Sequence, residues 1–221
     1  MIRIYLYPLT KRDNSGLVNP YVKKLAEALS VHNLVLNKEH PSGSGIFDIL
    51  KYLRRTDVVY LNWIEDLPDK HRGYIQSLFF LFLLIFLKLS RKKMVWTLHN
   101  KKSHFDKNKY LKSILFGLLL KHSDLVVTHA TAGLGIIPDS TPKVYLPHPI
   151  ENPRQEIQDP GTKDFDIIIW GSINQYKGID TFLIFLIENS LIHRYRILIA
   201  GKIVGSELEE RLVKIQQEYE N

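Results

Sequence analysis

An α/β fold built on parallel strands is what this sequence predicts, and three observations predict it. Short runs rich in Val and Ile, with little polar alternation, recur along the chain, as strands covered on both faces require. Between them lie stretches whose apolar residues recur at helical spacing. Near residue 150 the rhythm breaks, and after a proline-rich stretch it restarts.

The strand candidates of the first part are Ile2–Tyr7, Asn33–Leu36, Asp57–Asn62, Met94–Leu98, Leu125–Thr128 and Val144–Leu146. Asn19 and Pro20 suit a helix start, a capping residue followed by a ring pre-set at the first helical position. Tyr21, Val22, Leu25, Ala28 and Leu29 then form its apolar face, with Lys23, Lys24 and Glu27 outside. Ile46, Ile49, Leu50 and Leu53 repeat at i, i+3, i+4 and i+7, and Tyr110, Leu111, Ile114, Leu115, Leu118 and Leu119 make another stripe. From Pro147 to Lys163 the chain has four prolines and few apolar residues, which reads as a linker. Beyond it come strands at Phe165–Trp170 and Arg196–Ala200, a helix from Gly178 to about Asn189, and a last helix. Ser206 and Glu209 would box the start of that helix, and Leu208, Leu212, Ile215 and Tyr219 would bury it. The expected organisation is a Rossmann-like domain over 1–150, a linker over 151–163, and the start of a second Rossmann-like unit over 164–221. Two strands are too few for the two-sided sheet such a unit normally needs, so the second unit reads as cut short.

Composition narrows the classes. An apolar share of 45% is ample for a packed core, so disorder is not the default reading. The absence of cysteine excludes disulfides and thiolate metal sites and fits a reducing compartment. A formal charge of +7 suggests anionic partners. The start MIRIYLYP reads as a first strand rather than a leader peptide.

In open parallel sheets, ligands bind beyond the carboxyl ends of the strands. The unusual residues fall there: Asn62 and Trp63 after the third strand, His99 and Asn100 with His104 after the fourth, His129 after the fifth, His148 after the sixth. The restarted unit has Gly171 and Ser172, then Lys177 and Gly178, and Gly201-Lys202 after its second strand. A dinucleotide-binding turn would need G-x-G-x-x-G after the first strand, and that loop holds only Gly16. No P-loop, nucleophile elbow or H-E-x-x-H occurs. Asp164-Phe165-Asp166 spells D-x-D, but at the entry of a strand, the wrong end for a site.

VWTLHN after the fourth strand, YLPHPI at the end of the first domain, and WGSINQYKGIDTFL followed by ILIAGK resemble the retaining family-4 glycosyltransferases of the GT-B fold. The resemblance implies two facing Rossmann-like domains, the first for the acceptor and the second for a nucleotide-sugar donor, with no metal and no cofactor. It implies that His99 reaches the donor sugar, and that Gly171, Ser172, Lys177 and Gly178 lie along the donor diphosphate. Lys177 would serve as the clamp lysine; Ser172 stands where many members carry arginine. Gly16 would lie in the loop over the donor, which many members build on a pair of glycines. Asn62, Trp63, Asn100, His104 and His129 would face the acceptor. The family's two glutamates would lie beyond Asn221, so this chain alone is expected not to transfer sugar. The implied activity is sugar transfer to a glycan or lipid-linked acceptor in polysaccharide or glycolipid assembly. The rival expectations are a non-catalytic glycan- or membrane-binding remnant and a sugar-nucleotide epimerase on the same fold.

Between Lys88 and Lys121 the chain has ten lysines and arginines and one acid, Asp106, and just before lies Leu78–Leu87, apolar all round. One reading is a core helix beside solvated lysines. The other is an anionic membrane face carried by Lys101, Lys102, Lys107 and Lys109, on a cytoplasmic protein held peripherally at the inner face of a membrane. No zinc finger or RNP-like motif supports nucleic acid as the partner.

Overall fold

The structure, a computed structural model, describes residues 1–9, 20–41, 43–99, 108–148 and 163–219. The chain divides into two compact units, 1–150 and 151–221.

Unit one is a six-stranded sheet in which every pairing is parallel. Its strands are β1 (Arg3–Tyr7), β2 (Leu34–Val35), β3 (Val58–Asn62), β4 (Lys93–Leu98), β5 (Leu125–Thr128) and β6 (Lys143–Tyr145), in the order β2-β1-β3-β4-β5-β6. The order reverses direction between β1 and β3, the kind of switch point beside which open α/β sheets bind ligands. Register then sets the site. Tyr7 pairs with Leu61, Asn62 with Thr97, and Thr128 with both Leu98 and Tyr145, so the carboxyl ends of five strands come out along one edge.

The opposite edge is held by aspartates. Asp57 Oδ2 accepts the Arg3 amide at 2.9 Å, and Asp124 Oδ2 accepts the Met94 amide at 2.9 Å. In unit two Asp166 Oδ2 accepts the Arg196 amide at 2.8 Å. The second aspartate of the Asp-Phe-Asp triplet is therefore a strand clamp, one of three built alike.

Two cores sandwich the first sheet. On one face α1 (Pro20–Leu29) lays Val22 and Ala26 against Ile4, Leu6, Val35, Tyr60 and Val127. The buried residue of its second turn is Ala26 rather than Ala28, because a 100° step from Val22 returns to the core at the fourth residue. The other face carries α2 (Ile49–Tyr52), α3 (Gly73–Leu89), α4 (Lys109–His122) and the residue after α5 (Thr131–Leu134) that reaches in, Ile137. The stripe at 46–53 forms not one helix but α2 flanked by 3₁₀ turns at Gly45–Asp48 and Leu53–Arg55; Ile46, Ile49 and Leu53 are buried and Leu50 is exposed. A further 3₁₀ segment, Ile64–Asp69, follows β3 and packs against α3 and α4. It buries an ionic knot: Lys112 reaches from α4 between Asp66 and Asp69, and Glu65 accepts the Trp96 indole N–H at 3.2 Å. Burial raises the Glu65 carboxyl to about 7.

Unit two pairs β7 (Ile167–Trp170) with β9 (Ile197–Ala200) in parallel, and the two-residue strands β8 (Ile173–Asn174) and β10 (Ile203–Val204) form a second small pair. The helices α6 (Ile179–Glu188) and α7 (Ser206–Tyr219) cover one face through Ile179, Leu183, Leu208 and Leu212. Gly178 is not the first helical residue but the left-handed residue before it, φ +64°. Of the proline-rich linker, residues 149–162 lie outside the described residues.

Candidate functional site

At the carboxyl edge of the first sheet five rings meet. Tyr21, at the start of α1, packs edge-on against Trp63, His99, His129 and His148, with ring centroids 5.1–5.7 Å away. The Trp63 indole stacks on the His99 imidazole at 4.0 Å, and His129 stacks on His148 at 4.1 Å. Trp63 holds a left-handed backbone, φ +47°, costly for a bulky residue and found most often where a side chain must be aimed.

Hydrogen bonds fix the protonation of the cluster. Asn62 donates from Nδ2 to the Tyr7 carbonyl at 3.1 Å, which leaves its Oδ1 to accept from His99 Nε2 at 3.1 Å. His99 thus carries its proton on Nε2 and keeps Nδ1 as an acceptor. His129 Nδ1 faces the Leu146 carbonyl at 2.6 Å and must donate, so in the neutral ring Nε2 accepts the Tyr21 hydroxyl at 2.9 Å. Desolvation raises the Tyr21 phenol to about 12, so it stays a donor. Desolvation, then the neighbouring His129 and His148, pull the His99 imidazole down to about 3. His148 is pulled down as well, by desolvation and then by His129.

The chemistry this permits is specific. A base whose conjugate acid titrates near 3 takes up little proton at neutral pH, so His99 is a weak general base. It is instead a fixed, uncharged acceptor, suited to a hydroxyl donor. The rings stack side by side, with His99 Nε2 and both His129 nitrogens engaged in hydrogen bonds. Among the described residues no group of three or more His, Cys, Asp or Glu is placed to hold a metal ion.

Unit two has its own cluster at the carboxyl ends of β7 and β9. Gly171 has φ +103°, and a Cβ on Gly201 would lie 1.8 Å from the Gly171 carbonyl oxygen. Only two glycines allow these turns to touch, which leaves bare backbone at the strand ends. A Cβ on Gly171 would come 3.9 Å from Lys177 Nζ, so the ammonium hangs over that turn. Asn174 Nδ2 holds the Ser172 hydroxyl at 2.9 Å. Asp180 is buried at the first turn of α6, accepts backbone N–H groups at 180 and 181, and is paired with Arg211 at 3.1 Å and with Gln175 Nε2 at 3.0 Å. The helix N-terminus is therefore partly capped by the helix's own carboxylate, and Lys177 is a cation placed over the Gly171 turn for an anion.

No protein-family model, curated protein or solved structure matches this chain.

Asn62, Trp63, His99 and His129, chosen as strand-end residues, lie in one contact cluster. Gly171, Ser172, Lys177 and Gly178 surround one turn. Gly16, Asn100, Lys101, Lys102, His104 and Lys107 lie outside the described residues. Lys109 is exposed at the start of α4. One participant escapes a sequence reading, and for another, His148, the sequence places the residue but not its contact. Tyr21 looks like part of a helix's apolar face, and its partner His129 is 108 residues away. His148 stands out only as one more strand-end histidine, and its stacking on His129 has no local signature.

Proposed function

We propose that this chain supplies the acceptor side and the beginning of the donor side of a GT-B-type glycosyltransferase. The reaction is retaining and metal-independent, from a nucleotide-sugar to a glycan or lipid-linked acceptor, in polysaccharide or glycolipid assembly on the cytoplasmic side of a membrane. The observation that carries the reading is Lys177 Nζ over the Gly171 turn, where two strand ends expose backbone free of side chains. When the bond from sugar to diphosphate breaks, the electron pair goes to the phosphate oxygen, and a fixed cation there stabilises the growing charge. The neutral His99 acceptor, aimed by Asn62 and Trp63, suits a sugar hydroxyl.

The test is amide NMR of this chain titrated with nucleoside diphosphates. Saturable shifts are expected at Gly171, Ser172, Gly178 and Gly201, and Lys177→Ala should weaken binding roughly 10- to 100-fold, since a charge-assisted hydrogen bond contributes about 1.5–3 kcal/mol. Shifts confined to other residues, or unchanged affinity in Lys177→Ala, would overturn the assignment.

A further inference from the structure

Helix α3 is inside out. Its inward face holds Phe80, Leu83, Leu84 and Leu87, but also its only two uncharged polar side chains other than tyrosine, Gln76 and Ser77. Both are satisfied there: Gln76 accepts the Ile46 amide at 3.2 Å and donates to the His71 carbonyl at 2.7 Å, and Ser77 donates to the Gly73 carbonyl at 2.8 Å. The outward face is apolar from end to end. Tyr74, Leu78, Phe82, Ile85 and Leu89 recur at helical spacing over about 22 Å, and Phe82 is 63% and Leu89 80% exposed. The stripe continues onto α4. Tyr74 donates to Asn108 Oδ1 at 2.5 Å, and two residues further on Tyr110 is 82% exposed, with Ile114 a turn behind it. A water-facing helix normally carries its polar residues on this side.

Charge surrounds the stripe. Lys70 and Arg72 precede α3, Lys88 and Arg91 close it, and Lys121 ends α4; all five are exposed. The acids nearby are engaged: Lys112 bridges Asp66 and Asp69, and Asp124 pairs with Lys93 at 2.8 Å. Lys92 is tied to the Thr56 carbonyl at 2.5 Å and is not part of that rim.

We propose that the outward faces of α3 and α4 rest in the interface of a membrane rich in anionic lipid. The stripe would enter the headgroup–acyl boundary and the rim would meet acidic headgroups. A second copy of the chain fits worse. A two-fold contact along α3 would lay the Lys70–Arg72 end of one copy against the Lys88–Arg91 end of the other, and both ends are positive. A plane of negative headgroups answers both ends at once. The helix rests on the surface rather than spanning it: among the described residues no helix is long and apolar enough to cross a membrane. Gln76 also ties its inner face to the fold through the Ile46 amide. This inference stands apart from sugar transfer, and its readout is binding alone.

Flotation with phosphatidylcholine vesicles, with and without phosphatidylglycerol, tests it. Binding is expected with the anionic vesicles and should weaken as salt rises. The variant R72Q/K88Q/R91Q should bind the anionic vesicles roughly 100-fold more weakly, from about fivefold per charge. The chain has no cysteine, so Phe82→Cys gives a single site for a polarity-sensitive dye. Its emission should shift to the blue on anionic vesicles, while a dye at Ala28→Cys, exposed on α1 across the sheet, should not respond. Three results would overturn the proposal: equal binding by F82E/I85E that melts like the parent, no shift at position 82, or a dimer in sedimentation equilibrium that F82E/I85E abolishes.

Discussion

His99 sits where two demands meet. It must be buried enough to be held by Asn62 and Trp63, and it stays uncharged because the same burial penalises the imidazolium. This links the site to pH. The folded imidazole titrates near 3 and the unfolded one near its ordinary value of 6.5, so between those values the unfolded state binds the extra proton. Stability is therefore fully present above about 6.5 and is lost as pH falls toward 3. His99→Gln should lose less stability than the parent between pH 7 and pH 5 in urea denaturation; an identical loss would show that His99 does not titrate in this way. His99, Asn62 and Trp63 could be nominated from sequence because parallel strands deliver ligand-binding residues at their carboxyl ends, whatever the loops do. Tyr21 could not, since a tyrosine at the start of a helix looks alike whether its hydroxyl meets water or His129.

Elements show the same boundary between what pattern carries and what packing decides. The strands are short apolar runs, and composition places them within a residue or two; Leu125–Thr128 agrees at both ends. The two-residue strands β8 and β10 have no run to detect. For α3 an unbroken apolar segment has no periodicity, so pattern cannot say which side faces the core; Gln76 and Ser77, which point inward, are the misleading clue. The 3₁₀ segment Ile64–Asp69 is likewise silent in sequence, although it anchors α4 through Lys112. Lys112→Met should destabilise unit one by about 3–5 kcal/mol, because it strands Asp66 and Asp69 without their cation. Urea unfolding checks this, and a change under 1 kcal/mol would mean that the carboxylates find water or a proton instead. In unit two, Arg211→Ala removes the cation beside buried Asp180 and should cost about 1–3 kcal/mol.

Across the whole molecule the two units differ in how their sheets are covered. β3 and β4 lie in the middle of six strands with cores on both faces. β7 and β9 form a lone pair, and Ile168 and Trp170 on β7 are exposed. Hydrogen exchange should therefore be slowest in β3 and β4 and much faster in β7 and β9, since opening a two-stranded pair exposes little buried surface. Equal protection in both units would contradict this. The strand order β2-β1-β3-β4-β5-β6 has one more consequence, for a chain emerging residue by residue from a ribosome. β1 comes first, β2 joins one side of it, β3 the other, and β4, β5 and β6 follow outward in the order of their synthesis. No strand has to be inserted between two that have already paired, so the sheet can grow in step with translation and always by docking onto an open edge.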